Sequence, residues 1–179
     1  VNFTEFKLDP RLLAAVARAG YTTPTPIQAA AIPTAMDGHD LIGTAQTGTG
    51  KTAAFILPIL HKLLTGMRGH TRALILSPTR ELAEQTQETI RTLGAATTLR
   101  SATIYGGVWS APQIKALNDG VDIIVACPGR LLDLLGQRHG RFDRLEVLVL
   151  DEADRMFDMG FLPSIRQIVK HIPAQRQTM

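Results

Sequence analysis

Two stretches of this sequence carry residues whose types and spacing could do chemistry. The first is AQTGTGKT, comprising Ala45, Gln46, Thr47, Gly48, Thr49, Gly50, Lys51 and Thr52. Its two glycines let the backbone curl so that consecutive N–H groups face inward, an arrangement that cradles phosphate. Lys51 offers a mobile positive charge to the β- and γ-phosphates of a nucleotide, and Thr52 offers a hydroxyl to Mg²⁺. The strict form of this pattern opens on Gly, where this chain has Ala45.

The second stretch is VLVLDEADRM, in which four apolar residues run straight into Asp151 and Glu152. Carboxylates at the end of a buried strand are costly unless something positive meets them. In nucleotidases that use a phosphate loop, an acid at a strand end holds Mg²⁺ and a nearby polar residue orients the attacking water. Asp151 suits the metal role, through water, and Glu152 suits the role of base.

Positioning such residues needs a scaffold, and the chain alternates short β-branched runs with segments of helical period. Strands are expected over residues 41–45, 73–77, 101–105, 122–126 and 147–150. Helical stretches are expected over 10–18, 26–36, 51–64, 80–93, 111–117 and 131–135. Unbroken apolar strands alternating with helices predict an α/β fold with a mostly parallel sheet covered on both faces. Such sheets bind ligands beyond the carboxyl ends of their strands. The unusual residues fall there repeatedly: AQTGTGKT, PTRE, GG, CPGR and DEAD each follow one expected strand.

Length and composition set the bounds. The 179 residues suit one domain with a full core, and 45% apolar with 20% charged residues is ordinary for a globular chain. A net charge of +3 permits a polyanionic partner without demanding one. The single cysteine, Cys127, excludes an internal disulfide and suggests a reducing, cytoplasmic setting. No ligand spacing for structural zinc, no membrane-spanning run and no signal pattern is visible.

Taken together, these residues resemble the amino-terminal RecA-like domain of DEAD-box RNA helicases over nearly the whole chain. The resemblance implies a RecA-like three-layer sandwich and one ATP-binding domain over 1–179, opening on a Gln-motif segment of about 1–29. In TPTPIQ, Gln28 would then read adenine, and Phe3, seventeen positions before Gly20, would pack on the base. PTRELA supplies Pro78, Thr79 as a helix cap, and Arg80; GG is Gly106 and Gly107; CPGR supplies Pro128, Gly129 and Arg130. These would hold RNA by its sugar–phosphate backbone, without sequence readout. Cys127 stands where the family has Thr, and a thiol is a poor cap. Trp109, the only Trp, is expected to pack rather than stack.

The family's activity is ATP-dependent RNA unwinding, with ATP and Mg²⁺ as cofactors, RNA as partner, and a second RecA-like domain in cis. That second domain carries an arginine finger, and Asp154 couples the nucleotide site to closure. Without it, a monomeric and nearly inactive nucleotide-binding half is expected. The alternatives are a DNA helicase with a related core, or a non-catalytic RNA clamp locked by ATP. DEAD together with the Gln28 element argues against the first; intact Lys51, Asp151 and Glu152 argue against the second.

Overall fold

The computed structural model describes residues 1–179, which fold as two compact units. One unit comprises Val1–Gly66, Glu88–Leu99 and Gln177–Met179; the other comprises Met67–Gln87 and Arg100–Arg176.

The second unit holds four parallel strands: β1 (Ala73–Leu76), β2 (Ser101–Ile104), β3 (Ile123–Ala126) and β4 (Val147–Leu150). They lie side by side in the order β2-β3-β1-β4. Every residue of β1 and β3 is buried, which is why the runs ALIL and IIVA show no polar alternation. Leu74, Leu76, Ile104, Ile124, Ala126 and Leu148 form one face of the core. Against it sit Leu117 of α5 (Ala111–Asp119), Leu131 and Leu134 of α6 (Pro128–Gly136), and Ile165 and Ile168 of α8 (Leu162–Val169). On the opposite face Ala73, Ile75, Ile123, Val125, Val147 and Val149 are equally buried, so both faces are covered.

The register decides where the chemistry lies. Leu76 pairs with both Ala126 and Leu150, and Ile104 pairs with Ala126, so all four strands end level. The segments that follow them, beginning at Ser77, Tyr105, Cys127 and Asp151, therefore leave from one edge.

The first unit is mainly helical, with α1 (Pro10–Arg18), α2 (Pro26–Met36) and α3 (Lys51–Leu63) packed together. Both α1 and α2 begin with Pro in the first turn, where its missing N–H costs nothing, and each has a side-chain cap, from Asp9 and Thr25. The long helix α4 (Arg80–Leu93) matches its expected range.

Residues 41–45, whose apolar run predicts the first strand, do not form one. A strand exists only where a neighbour supplies a ladder. Here Leu41 N–H donates to the Thr178 carbonyl at 3.2 Å, and Thr178 N–H to Asp40 Oδ1 at 2.7 Å. Thr178 belongs to β5 (Gln177–Thr178). Ile42 is 97% exposed.

Two helices fall where none was expected, α7 (Ala153–Asp158) and α8. The first is a six-residue turn too short to show a period. The second carries Ile165 and Ile168 at helical spacing, a signal present in the sequence. No helix is long and apolar enough to cross a membrane.

Candidate active site

In the first unit the phosphate-loop residues sit immediately before α3. Gly48 (φ +81°) and Gly50 (φ +86°) adopt the left-handed conformation, which a side chain at Cβ would strain. Thr49 Oγ1 donates to the Gln46 carbonyl at 2.6 Å and closes the turn. Gly50 is the N-cap of α3, and no side chain caps the helix. The first turn, Lys51 and Thr52 included, thus presents backbone N–H groups and the positive helix end together.

Gln28 is bound into this loop. Its Oε1 accepts from Thr25 N–H at 3.0 Å, completing a capping box with Thr25, and its Nε2 donates to the Gly50 carbonyl at 3.2 Å. A Cβ at position 50 would fall 2.4 Å from Nε2, so Gly50 is required by contact as well as by conformation. Only 4% exposed, Gln28 is no loose surface amide. An amide has two N–H donors and two lone pairs. One of each is used here, which leaves one of each.

Phe3, expected to pack on a base, lies in a small aromatic cluster. It is 3% exposed, with its ring edge-on to Phe6 at 5.8 Å and stacked with Tyr21 at 6.3 Å between centroids. Tyr21, 37% exposed and in the same stack, is the aromatic that still reaches solvent. Its place next to Gly20, just before TPTPIQ, was the signal available in sequence.

In the second unit the strand ends carry the other motif residues. Beyond β4, Asp151 N–H donates to the Leu76 carbonyl at 2.9 Å, continuing the ladder with β1. Glu152 then takes a left-handed conformation (φ +53°, ψ +48°) as the N-cap of α7. That conformation costs a non-glycine residue about 1–3 kcal/mol, and such outliers gather at functional sites. Both carboxylates are half-buried, and Asp154 is exposed in the first turn of α7.

Beyond β1, Pro78 is buried and Thr79 Oγ1 accepts from Leu82 N–H at 3.3 Å, the cap expected for α4. Arg80 is exposed and lies over the Tyr105 ring, 5.0 Å from its centroid. The Tyr105 hydroxyl donates to Glu84 at 2.7 Å; this bond, then burial, raises its pKa. Gly106 and Gly107 follow, both exposed, with Gly107 at φ +79°.

Beyond β3, Cys127 N–H donates to the Ile104 carbonyl at 2.8 Å, and its thiol makes no cap bond to α6. Burial, and then the charge of Glu81, push the Cys127 thiol up to about 11, so it stays neutral at physiological pH. Pro128 is buried, Gly129 is open on its Cβ side, and Arg130 Nη1 donates to the Val108 carbonyl at 3.3 Å. Trp109, expected to pack, is 80% exposed.

For a metal, no group of three or more His, Cys, Asp or Glu side chains could form a protein cage. Mg²⁺ needs no such cage, since it keeps several waters and binds through one or two acids plus phosphates.

A glycine-bearing loop opening a helix, and acids ending a strand of a parallel sheet, belong to an α/β protein of the RecA-like class. The family model for the DEAD/DEAH box helicase matches residues 25–179, and the chain belongs to that family. It is 49% identical to DEAD-box ATP-dependent RNA helicase 30 of Arabidopsis thaliana, matching 99% of this chain and 31% of that protein. It is 46% identical to ATP-dependent RNA helicase CshA of Listeria monocytogenes, over 99% of this chain and 34% of that one. Among solved structures, a DEAD box protein from the hyperthermophile Methanococcus jannaschii superimposes with a TM-score of 0.92 at 36% identity. That match covers 99% of this chain and 48% of the other. The chain thus spans about a third of the length of these curated relatives.

Proposed function

We propose that this chain is the ATP-binding half of an ATP-dependent RNA helicase, active when joined to a second RecA-like domain in cis. The level ending of four parallel strands carries the reading, because it gathers PTRE, GG, CPGR and DEAD at one edge. Phosphate-loop N–H groups and Lys51 bind the nucleotide's phosphates, Lys51 offsetting the charge of the terminal ones. Thr52 and Asp151 would hold Mg²⁺, Asp151 through water; the ion supplies charge neutralisation between the phosphates. Glu152 accepts the proton of the attacking water.

The remaining donor and acceptor of Gln28 match adenine N7 and N6, whereas guanine presents two acceptors there. Tyr21 is the aromatic placed to cover the base. Arg80, Gly107 and the start of α6 at Pro128, Gly129 and Arg130 hold the RNA backbone, without reading bases. Asp154 relays the state of the nucleotide to the second domain. We infer a monomeric chain that binds nucleotide and hydrolyses it feebly alone, since an arginine finger is worth about 10³–10⁵ in rate.

Calorimetry with ADP and GDP tests the nucleotide half of this reading. ADP should bind more tightly, and Lys51→Ala should lose most of that affinity; equal affinities would refute the adenine assignment. Comparing RNA with DNA as stimulators of ATP hydrolysis, in a protein carrying both domains, tests the substrate.

A further inference from the structure

Trp109 does the opposite of what an indole ordinarily does. Tryptophan has the largest surface to gain from burial, yet this one is 80% exposed. Scattered exposed apolar residues are normal, so exposure alone carries little. The setting carries more. Trp109 sits between Gly107 and α5 in a loop pinned on both sides. Tyr105 is held through its ring by Arg80, through its hydroxyl by Glu84, and through its carbonyl by Gln113 Nε2 at 3.0 Å. The Val108 carbonyl, one residue before the indole, is held by Arg130 Nη1. The loop is therefore fixed in place and still presents its indole to water.

The residues that pin the loop are also the cationic ones. Arg80 lies over Tyr105 at the start of the loop, Arg130 bonds the Val108 carbonyl, and Gly106 and Gly107 leave the backbone open to a phosphate. A cationic track with an ordered aromatic beside it is the arrangement used to bind single strands, in which phosphates follow the charges and a base stacks on the ring. Because the loop is already ordered, little conformational entropy is lost when the ring is covered.

We propose that Trp109 stacks on a base of single-stranded RNA, adding one nucleobase contact beside the backbone contacts of Gly107 and Arg130. This rests on the RNA reading above. The contact is tolerant of base identity, because every base has a π-face, but it requires that a base be present. The occupant is RNA rather than a protein surface because Gly106 and Gly107, exposed in the same loop, and Arg130, bonded to the Val108 carbonyl, suit a phosphate backbone.

The chain has one Trp, so its fluorescence reports this site alone. The experiment is a titration at low salt with an oligouridylate and with an abasic oligomer of the same length and charge. Indole emission and the anisotropy of the labelled strand are both followed. The oligouridylate should quench the emission and the abasic strand should not. Trp109→Ala should weaken oligouridylate binding roughly 5- to 100-fold, leave abasic binding unchanged, and leave the fold intact by circular dichroism. Trp109→Phe should recover most of the loss. If both strands bind equally and the emission stays constant, stacking is overturned while backbone binding stands. If neither strand binds, the RNA reading fails and the proposal fails with it.

Discussion

The two ends of the strands in the second unit use polar residues in opposite ways. At the amino ends, polar groups are consumed by one another. Asp122, 1% exposed, takes a two-pronged ion pair from Arg68 at 3.0 and 3.1 Å and a hydrogen bond from Arg100 N–H at 2.8 Å. Arg72, also buried, pairs with Glu146, and Thr71 Oγ1 donates to the Val121 carbonyl at 2.7 Å. These groups knit β1, β3 and β4 together where the strands begin.

At the carboxyl ends, the same four strands lead into exposed glycines, an exposed Arg80, a thiol that caps nothing and an indole in water. One non-glycine residue there, Glu152, is held in a left-handed conformation. The contrast teaches how the sheet divides its labour. The amino end satisfies its own polar groups; the carboxyl end, which the proposed function assigns to a ligand, leaves Arg80 and its glycines exposed. Mutations at the amino ends should therefore cost stability, and mutations at the carboxyl ends should cost function.

The largest expected effect is at the carboxyl ends. Glu152→Gln, in a protein carrying both domains, should lower ATP turnover by about 10²–10⁴ while nucleotide affinity holds, because the amide keeps the shape but accepts no proton. Single-turnover hydrolysis beside calorimetry measures both. Turnover kept with binding lost would reverse the roles given to Asp151 and Glu152.

Next comes the amino end. Asp122→Ala removes the partner of Arg68 and leaves the Arg100 N–H unsatisfied, so urea unfolding should show a loss of about 2–3 kcal/mol. ADP affinity measured under folded conditions should not change. A loss of affinity without a loss of stability would break the division drawn here.

A smaller and more telling change is Gly129→Ala. Gly129 lies within α6 with nothing within 4 Å of a Cβ, so alanine should stabilise the helix by about 0.5–1 kcal/mol. The added methyl should nonetheless weaken RNA binding by standing where a phosphate approaches. Opposite signs in thermal melting and strand binding are expected; equal signs would make this glycine merely structural.

An effect of similar size is expected of Cys127→Thr. Cys127 already has the extended backbone of an N-cap (φ −83°, ψ +134°), and a hydroxyl there can accept from an N–H of α6. A gain of about 1 kcal/mol in stability is expected from thermal melts. The variant also lacks the thiol whose raised pKa erodes the fold as pH climbs from about 8.5 towards 11, so the gain should widen over that range.

Much of this arrangement was legible from sequence because it is local. Gly48 and Gly50 before Lys51, four apolar residues before Asp151 and Thr79 before a helical period are encoded within a few positions. The parallel sheet followed from strand runs too uniformly apolar to face water on either side. Cys127 as a poor cap followed from the chemistry of a thiol.

What the tertiary structure alone decided depends on partners distant in the chain. Residues 41–45 have the composition of a strand, but a strand is a relation between two segments, and here the contact is Leu41 N–H on the Thr178 carbonyl. Phe3 reads as an aromatic for a base, and the fold sets it against Tyr21 and Phe6. Gln28 reads as an amide for adenine, and only the fold shows half its capacity spent on Thr25 and Gly50. Trp109 reads as core because burial is the rule for indole. It is 80% exposed, in a loop whose Val108 carbonyl is held by Arg130, twenty-one residues beyond the indole. Sequence determines what each residue can do, through its side chain and nearest neighbours. The tertiary structure decides which of those capacities are already used, because hydrogen bonds and ring contacts are finite and distant residues claim them first.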